Sequence, residues 1–401
     1  MNNKEEKALI PAGGAKVENV GYWTKISHVY TVIFRALLFV LPLFVIVFMA
    51  VCAQAFTRNS VFGFGNDLLS VSSFLSSDYQ TVYYTYEEGE REVLVYRDGV
   101  AVVTTDGIEI YSPDGERLLE REVALTAPRA VASAKYLVAY DFGATAFAVT
   151  NGYTVLFEGK TEFPILGATV SDTGHFALIT ESDTHLSQVL LYDANFNLTQ
   201  RFSRNSATTG VCISANGKYI AFCAITTDNG MLQSVAELYR IGAKQSAFST
   251  RVEDAALGVA FSDTRHLVLI TAEGGYVFDT DGEQLSHVDF GGAALVGCDV
   301  NENGCAFLLD MGGVRAQCHV LVCDERGNLL SEKTLDTDLK AVVLAQEHAY
   351  LLGEDTLWRV SLGKDRADTL TVRTGATGIL FTKEGQLRLV YAGAAEYVEF
   401  D

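Results

Sequence analysis

The chain has 401 residues, 49% of them hydrophobic and 20% charged, with 5 prolines, so it is neither a low-complexity nor an intrinsically disordered polymer. Thirty basic residues against 50 acidic ones give a formal charge of −20. That balance argues against a nucleic-acid partner, because neutralising phosphates needs a basic face.

Residues 1–28 form a polar tail carrying Lys4, Lys7, Lys16 and Lys25. From Ala36 to Ala53 the sequence ALLFVLPLFVIVFMAVCA is free of charge, and at about 1.5 Å per residue it is roughly 27 Å long as a helix. This matches the hydrocarbon core of a bilayer and predicts a transmembrane helix over 29–56. Arg35 lies near its start, where a long side chain reaches the headgroups. Pro42 is tolerated in such a helix. Tyr22, Trp23 and Tyr30 before the run and Phe56, Phe62 and Phe64 after it suit interfacial aromatic belts. Four lysines precede the span, and Arg58 is the nearest basic residue after it. The positive-inside rule therefore places the tail in the cytoplasm and the rest outside. A cleaved secretory signal is the alternative, since Ala53-Gln54-Ala55 resembles a small-x-small cleavage site. Residues 57–79, rich in Ser, Gly and Asn, read as a stalk.

Residues 80–401 repeat. An apolar strand, a tight polar turn and a second apolar strand recur, as in ATVSDTGHFALIT from Ala168 and VCISANGKYIAFCA from Val211. The equivalent positions Ser133, Ser171, Ser214, Ser262, Asn301, Ala345 and Thr382 fall 37 to 48 residues apart. A second hairpin follows each copy, with Asp and Gly in turns such as Ser112-Pro-Asp-Gly115 and Asp324-Glu-Arg-Gly327. Two hairpins per unit give four antiparallel strands, the period of a β-propeller blade. Adding a unit that begins at Glu92 predicts eight blades, with seven as the alternative. The last unit lacks an outer strand, and the isolated segment Gln80–Glu88 is expected to supply it, closing the ring.

These turn motifs resemble those of the broad propeller superfamily that includes the WD40, TolB-like and quinoprotein-like propellers. Tail, single span and external propeller together are similar in layout to a clostridial family of membrane-anchored proteins. The resemblance implies a fold and no activity. The Trp repeats of quinone-binding propellers are missing, with Trp23 and Trp358 the two tryptophans, and WD dipeptides are absent.

No catalytic, metal or cofactor motif stands out. His175, His266 and His348 occupy equivalent places after first hairpin turns, so periodicity accounts for them. The six cysteines of the propeller region form no C-x-x-C and read as small strand hydrophobes. Inner strands such as AVASA, VCIS and VAFS predict a channel lined by small and apolar groups, without convergent acids or bases. Binding is therefore expected on the loops joining the blades. Arg129, Arg204, Arg251 and Arg373 fall in those connectors and are the candidate contacts for an acidic partner. The reading is a non-enzymatic, membrane-anchored scaffold for a cell-envelope protein or glycan. The alternative is a propeller enzyme acting on extracellular polysaccharide or another envelope substrate.

Overall fold

The computed structural model describes residues 29–38, 40, 79–84, 89–313, 316–345, 347–363, 366–382 and 384–400. The chain divides into two compact units, 1–61 and 62–401. In the first, residues 29–38 and 40 are helical and exposed. Among the described residues no helix is long and apolar enough to cross a membrane. Most of the expected span, 41–56, the tail 1–28 and the stalk up to residue 78 lie outside the described residues.

The second unit contains eight four-stranded antiparallel sheets. Blade 1 runs from Glu92 to Glu122, blade 2 from Pro128 to Lys160, blade 3 from Ile165 to Arg204 and blade 4 from Ala207 to Val252. Blade 5 spans Ala256 to Asp289, blade 6 Ala294 to Leu335 and blade 7 Ala341 to Thr371. Blade 8 takes three strands from the carboxyl end, within Gly378–Val398, and its fourth, Val82–Tyr83, from before blade 1. Val82 pairs with Ala395 and Tyr83 with Ala394, so the ring closes as the sequence predicts. The count is eight, and the seven-blade alternative falls away.

Burial explains why these segments are strands of this composition. The central strands Phe176–Thr180 and Ser187–Tyr192 are buried at every position, because adjacent blades cover both faces of the sheet. The outer strand Leu329–Leu335 alternates between exposed and covered residues, since one of its faces meets solvent. Eight apolar clusters fill the eight interblade gaps. One joins Leu308 and Val320 of blade 6 to Leu344 and Leu351 of blade 7. Another joins Val82 and Val390 of blade 8 to Val100 and Tyr111 of blade 1, so the closure has a core of its own.

The turn chemistry agrees with the repeat. Asp324 Oδ1 accepts hydrogen bonds from Arg326 N and Asn328 N, while Gly327 takes φ 81°, a conformation that suits glycine. At the closure, the Tyr79 ring stacks on Tyr397 with centroids 6.1 Å apart, and its hydroxyl donates to Glu384. Beside them Arg388 is fully buried and donates through Nη2 to the Pro113 carbonyl of blade 1.

Candidate functional site

Chain direction gives the ring two different faces. Inner strands begin at the face that carries the interblade connectors and the loops between second and third strands. They end at the face that carries the other two hairpin turns of each blade. The structure provides one candidate surface on each.

On the connector face, the inner strands of blades 3 to 6 carry one residue too many against their neighbours. Ile165 pairs with Thr180 and Gly167 with Ile179, leaving Leu166 as a bulge. The same slip isolates Thr209 before Gly210, Leu257 before Gly258 and Val296 before Gly297. A bulge turns its extra side chain out of the ladder. Leu166, Leu257 and Val296 are accordingly 36%, 51% and 44% exposed. The inner strands of blades 1, 2, 7 and 8 keep straight register. A glycine follows each bulge, and at Gly210 it allows close approach: a Cβ there would lie 3.0 Å from Gly258 Cα and from Val259 N. Loops on the same face add exposed Leu186 in blade 3, Met231 and Leu232 in blade 4 and Met311 in blade 6. Met231 and Leu232 cap a hairpin whose strands, Tyr219–Asp228 and Met231–Arg240, are the longest of the propeller.

These bulge residues were not singled out in the sequence, although a signal exists. An aliphatic residue or threonine followed by glycine ends four positions before Ser171, Ser214, Ser262 and Asn301.

The four candidate arginines all belong to this face, but they do not form one cationic ring. Arg129 pairs with Glu90 at 3.2 Å and Arg373 with Glu396 at 3.4 Å. Arg373 also lies over the Tyr391 ring, 4.1 Å from its centroid. Arg204 pairs with Glu237, donates to the Tyr239 hydroxyl at 3.1 Å and lies 4.5 Å from the Phe222 ring centroid. The Arg251 side chain is exposed and has no ion-pair or hydrogen-bond partner among the described residues, its backbone being paired with Val235. Arg204 and Arg251 come together, lining a cavity of about 380 Å³ between blades 3 and 4 with Ser203, Asn205 and Ser249.

At the opposite face the channel opens into a cavity of about 1180 Å³. Its strand residues, such as Val170, Ile213 and Ala260, are the small and apolar groups expected. The hairpin turns add Asp98, Asp172, Asp263, Glu302, Glu347 and Glu384, and the inner strand of blade 6 adds Asp299. The expectation of a channel without convergent acids therefore needs correction at this mouth, because the turns supply six of them and the inner strand of blade 6 supplies Asp299. Several are committed to structure. Asp172 Oδ1 accepts from Ala134 N of blade 2 at 2.7 Å. Asp263 accepts from Arg265 N and His266 N and sits 3.0 Å from His266 Nδ1, which holds its carboxyl below the usual range despite partial burial. Asp299 accepts from Leu344 N of blade 7 at 2.7 Å and from Asn301 at 2.9 Å, and burial raises its pKa. Among the described residues, no three His, Cys, Asp or Glu side chains gather as a metal-binding group.

The three periodic histidines lie in separate blades. His175 Nδ1 is 2.9 Å from Thr173 Oγ1, and burial lowers its pKa. The cysteines of the propeller are free thiols, buried except for Cys298. Cys305 and Cys323, which the sequence did not pair, face each other across the central strands of blade 6.

Fold and faces together define an eight-bladed β-propeller of the WD40-like kind. The chain belongs to the family of unknown function DUF5711, whose sequence profile matches residues 72–385. Among curated proteins none matches. Similar solved structures include Sqt1 of Saccharomyces cerevisiae, with TM-score 0.56 at 8% identity over 80% of this chain and all of that one. BamB of Moraxella catarrhalis aligns with TM-score 0.54 at 10% identity over 80% of this chain and 97% of that one. The C-terminal WD40 domain of Sif2 gives 0.56 at 10% identity, covering 81% of this chain and 100% of that one. At such identities the likeness is one of fold.

Proposed function

We propose that this protein is a non-enzymatic scaffold: the segment 29–56 anchors it in the cytoplasmic membrane, the tail lies inside, and the propeller presents its connector face to a cell-envelope protein or glycan. The observation that carries the reading is the placement of exposed aliphatic side chains. Leu166, Leu186, Met231, Leu257 and Val296 share that face, on inner strands and at the loops between second and third strands. Exposed apolar groups gathered on one surface are what a binding face offers a partner. The anchoring rests on the uncharged run Ala36–Ala53 and the lysine asymmetry around it. The four arginines bear on the reading unequally. Arg251 is open to a partner's carboxylate, whereas Arg129, Arg204 and Arg373 would have to exchange one carboxylate for another.

The test is crosslinking of the full-length protein in intact membranes, beside a variant with Arg129, Arg204, Arg251 and Arg373 changed to Glu. Specific partners recovered by the native protein support the scaffold. Recovery of the same partners by the variant removes the arginines from it. Digestion of the propeller only from the cytoplasmic side would overturn the topology.

The acidic mouth favours a second reading, an enzyme acting on an envelope polysaccharide, because glycoside hydrolysis uses a pair of carboxylates. Turnover of such a glycan, lost on neutralising mouth carboxylates with the fold intact, would establish that reading over the first.

A further inference from the structure

A blade takes its place in this ring without an inner-strand bulge, as the straight inner strands of blades 1, 2, 7 and 8 demonstrate. Four consecutive bulges in blades 3 to 6 are therefore an addition to the fold, and their effect is to hold Leu166, Leu257 and Val296 in solvent. Single exposed aliphatics are ordinary on protein surfaces. Three delivered by one backbone device within four consecutive blades, with Thr209 of blade 4 between the first two, form a pattern, and bulges commonly re-aim side chains at functional places.

Charge on the same surface decides what would cover them. Glu181 and Asp183 of blade 3, Asp228 of blade 4, Glu253 before blade 5, Glu273 between its second and third strands and Asp310 of blade 6 are all exposed on loops or strand ends of the connector face. The described cations there are Arg204, already neutralised by Glu237, and Arg251, with Lys160 before blade 3 and Lys340, paired with Glu354, after blade 6 at the two edges. The surface around the aliphatic arc is thus net negative, within a chain of formal charge −20. An anionic segment would be repelled, whereas a cationic one is drawn in and held in register.

We infer that the bulge arc of blades 3 to 6 docks an aliphatic segment of a partner protein that carries lysine or arginine beside its apolar residues. This rests on the scaffold reading above and names the partner's chemistry. Apolar side chains of the segment cover Leu166, Leu257 and Val296, and its cations meet the loop carboxylates. Because the receiving residues sit on inner strands already packed between blades, little ordering on the propeller side opposes binding. Arg251 limits the cationic stretch on the blade 4 side.

The test is random-peptide display panned on the full-length protein in detergent micelles, with the triple variant Leu166→Ser, Leu257→Ser, Val296→Ser as counter-selection. All three side chains are exposed, so the variant should keep the native circular dichroism spectrum and melting temperature. Enriched peptides should combine aliphatic residues with Lys or Arg. By fluorescence anisotropy they should bind the variant, and a twin peptide with Glu at its basic positions should bind the native protein, each about tenfold or more weaker than the native pairing, the loss expected when anchor side chains are removed. Peptides that bind the variant equally well would overturn the site, and a Glu twin of equal affinity would overturn the charge assignment. Failure to enrich any peptide would overturn the inference as a whole. None of these results decides the scaffold reading, which stands or falls on crosslinking in intact membranes.

Discussion

Gly210 and Gly297 occupy the same place in the repeat, after a bulge on an inner strand, yet the structure predicts opposite outcomes for the same substitution. A Cβ on Gly210 would meet Gly258 Cα and Val259 N at 3.0 Å and Cys223 Sγ at 3.2 Å. Two of these neighbours are backbone of the adjacent blade and cannot rotate away. Gly210→Ala must shift one inner strand against another, an overpacking that costs about 1–3 kcal/mol. A Cβ on Gly297 would meet nothing within 4 Å, and its φ lies outside the left-handed region. Gly297→Ala should therefore leave the native state undisturbed while reducing the freedom of the unfolded chain, a gain of about 0.4–1 kcal/mol. The two variants should differ by about 1.4–4 kcal/mol, the sum of an overpacking cost and an entropic gain. Urea titrations followed by circular dichroism, with the native protein alongside, measure the difference as a separation of midpoints at unchanged slope. Equal midpoints, or Gly210→Ala above Gly297→Ala, would refute the claim that blades 4 and 5 are held at glycine contact distance.

Other consequences are open to measurement. Arg388 is fully buried, with Nη2 bound to the Pro113 carbonyl and with Nε and Nη1 unpartnered. Removing a poorly compensated buried charge offsets the lost hydrogen bond, so Arg388→Met should be neutral or stabilising by about 1–2 kcal/mol in the same titration, and a loss above 2 would contradict this. Asp299→Ala would leave Leu344 N without its acceptor and should cost about 1–3 kcal/mol, whereas Asp299→Asn keeps an acceptor oxygen and should lie close to native. Val82→Ala at the closure removes two buried methyl groups and should lower stability by roughly 2 kcal/mol; no change would mean that the ring does not depend on this strand. Cys298 is the exposed thiol, but surrounding atoms, with Asp299 adding to them, push its pKa to about 11. Its thiolate fraction, and with it iodoacetamide labelling followed by mass spectrometry, should rise about tenfold per pH unit between pH 7 and 10. Labelling that is independent of pH would contradict the shift.

The repeat was legible because each blade needs its own hairpin turns. Glycine and Asx residues recur wherever the chain reverses, and central strands covered on both faces read as unbroken apolar runs. Even the closure could be read from a count of strands, since three at one end and one at the other make a whole sheet. The connector face could be identified from strand direction alone, and with it the location of Arg129, Arg204, Arg251 and Arg373.

What those residues meet was settled by tertiary structure. Glu237 is Arg204's partner because blade 4 stands beside blade 3, and no spacing along the chain announces a neighbour 33 positions away. The bulges at Leu166, Thr209, Leu257 and Val296 are slips between two strands, so they exist only once both are paired. Composition likewise suggested an apolar channel, because the strands lining it are apolar. Its acidic mouth arises when turns from separate blades, each unremarkable and solvated in sequence, are carried by ring closure to a common axis.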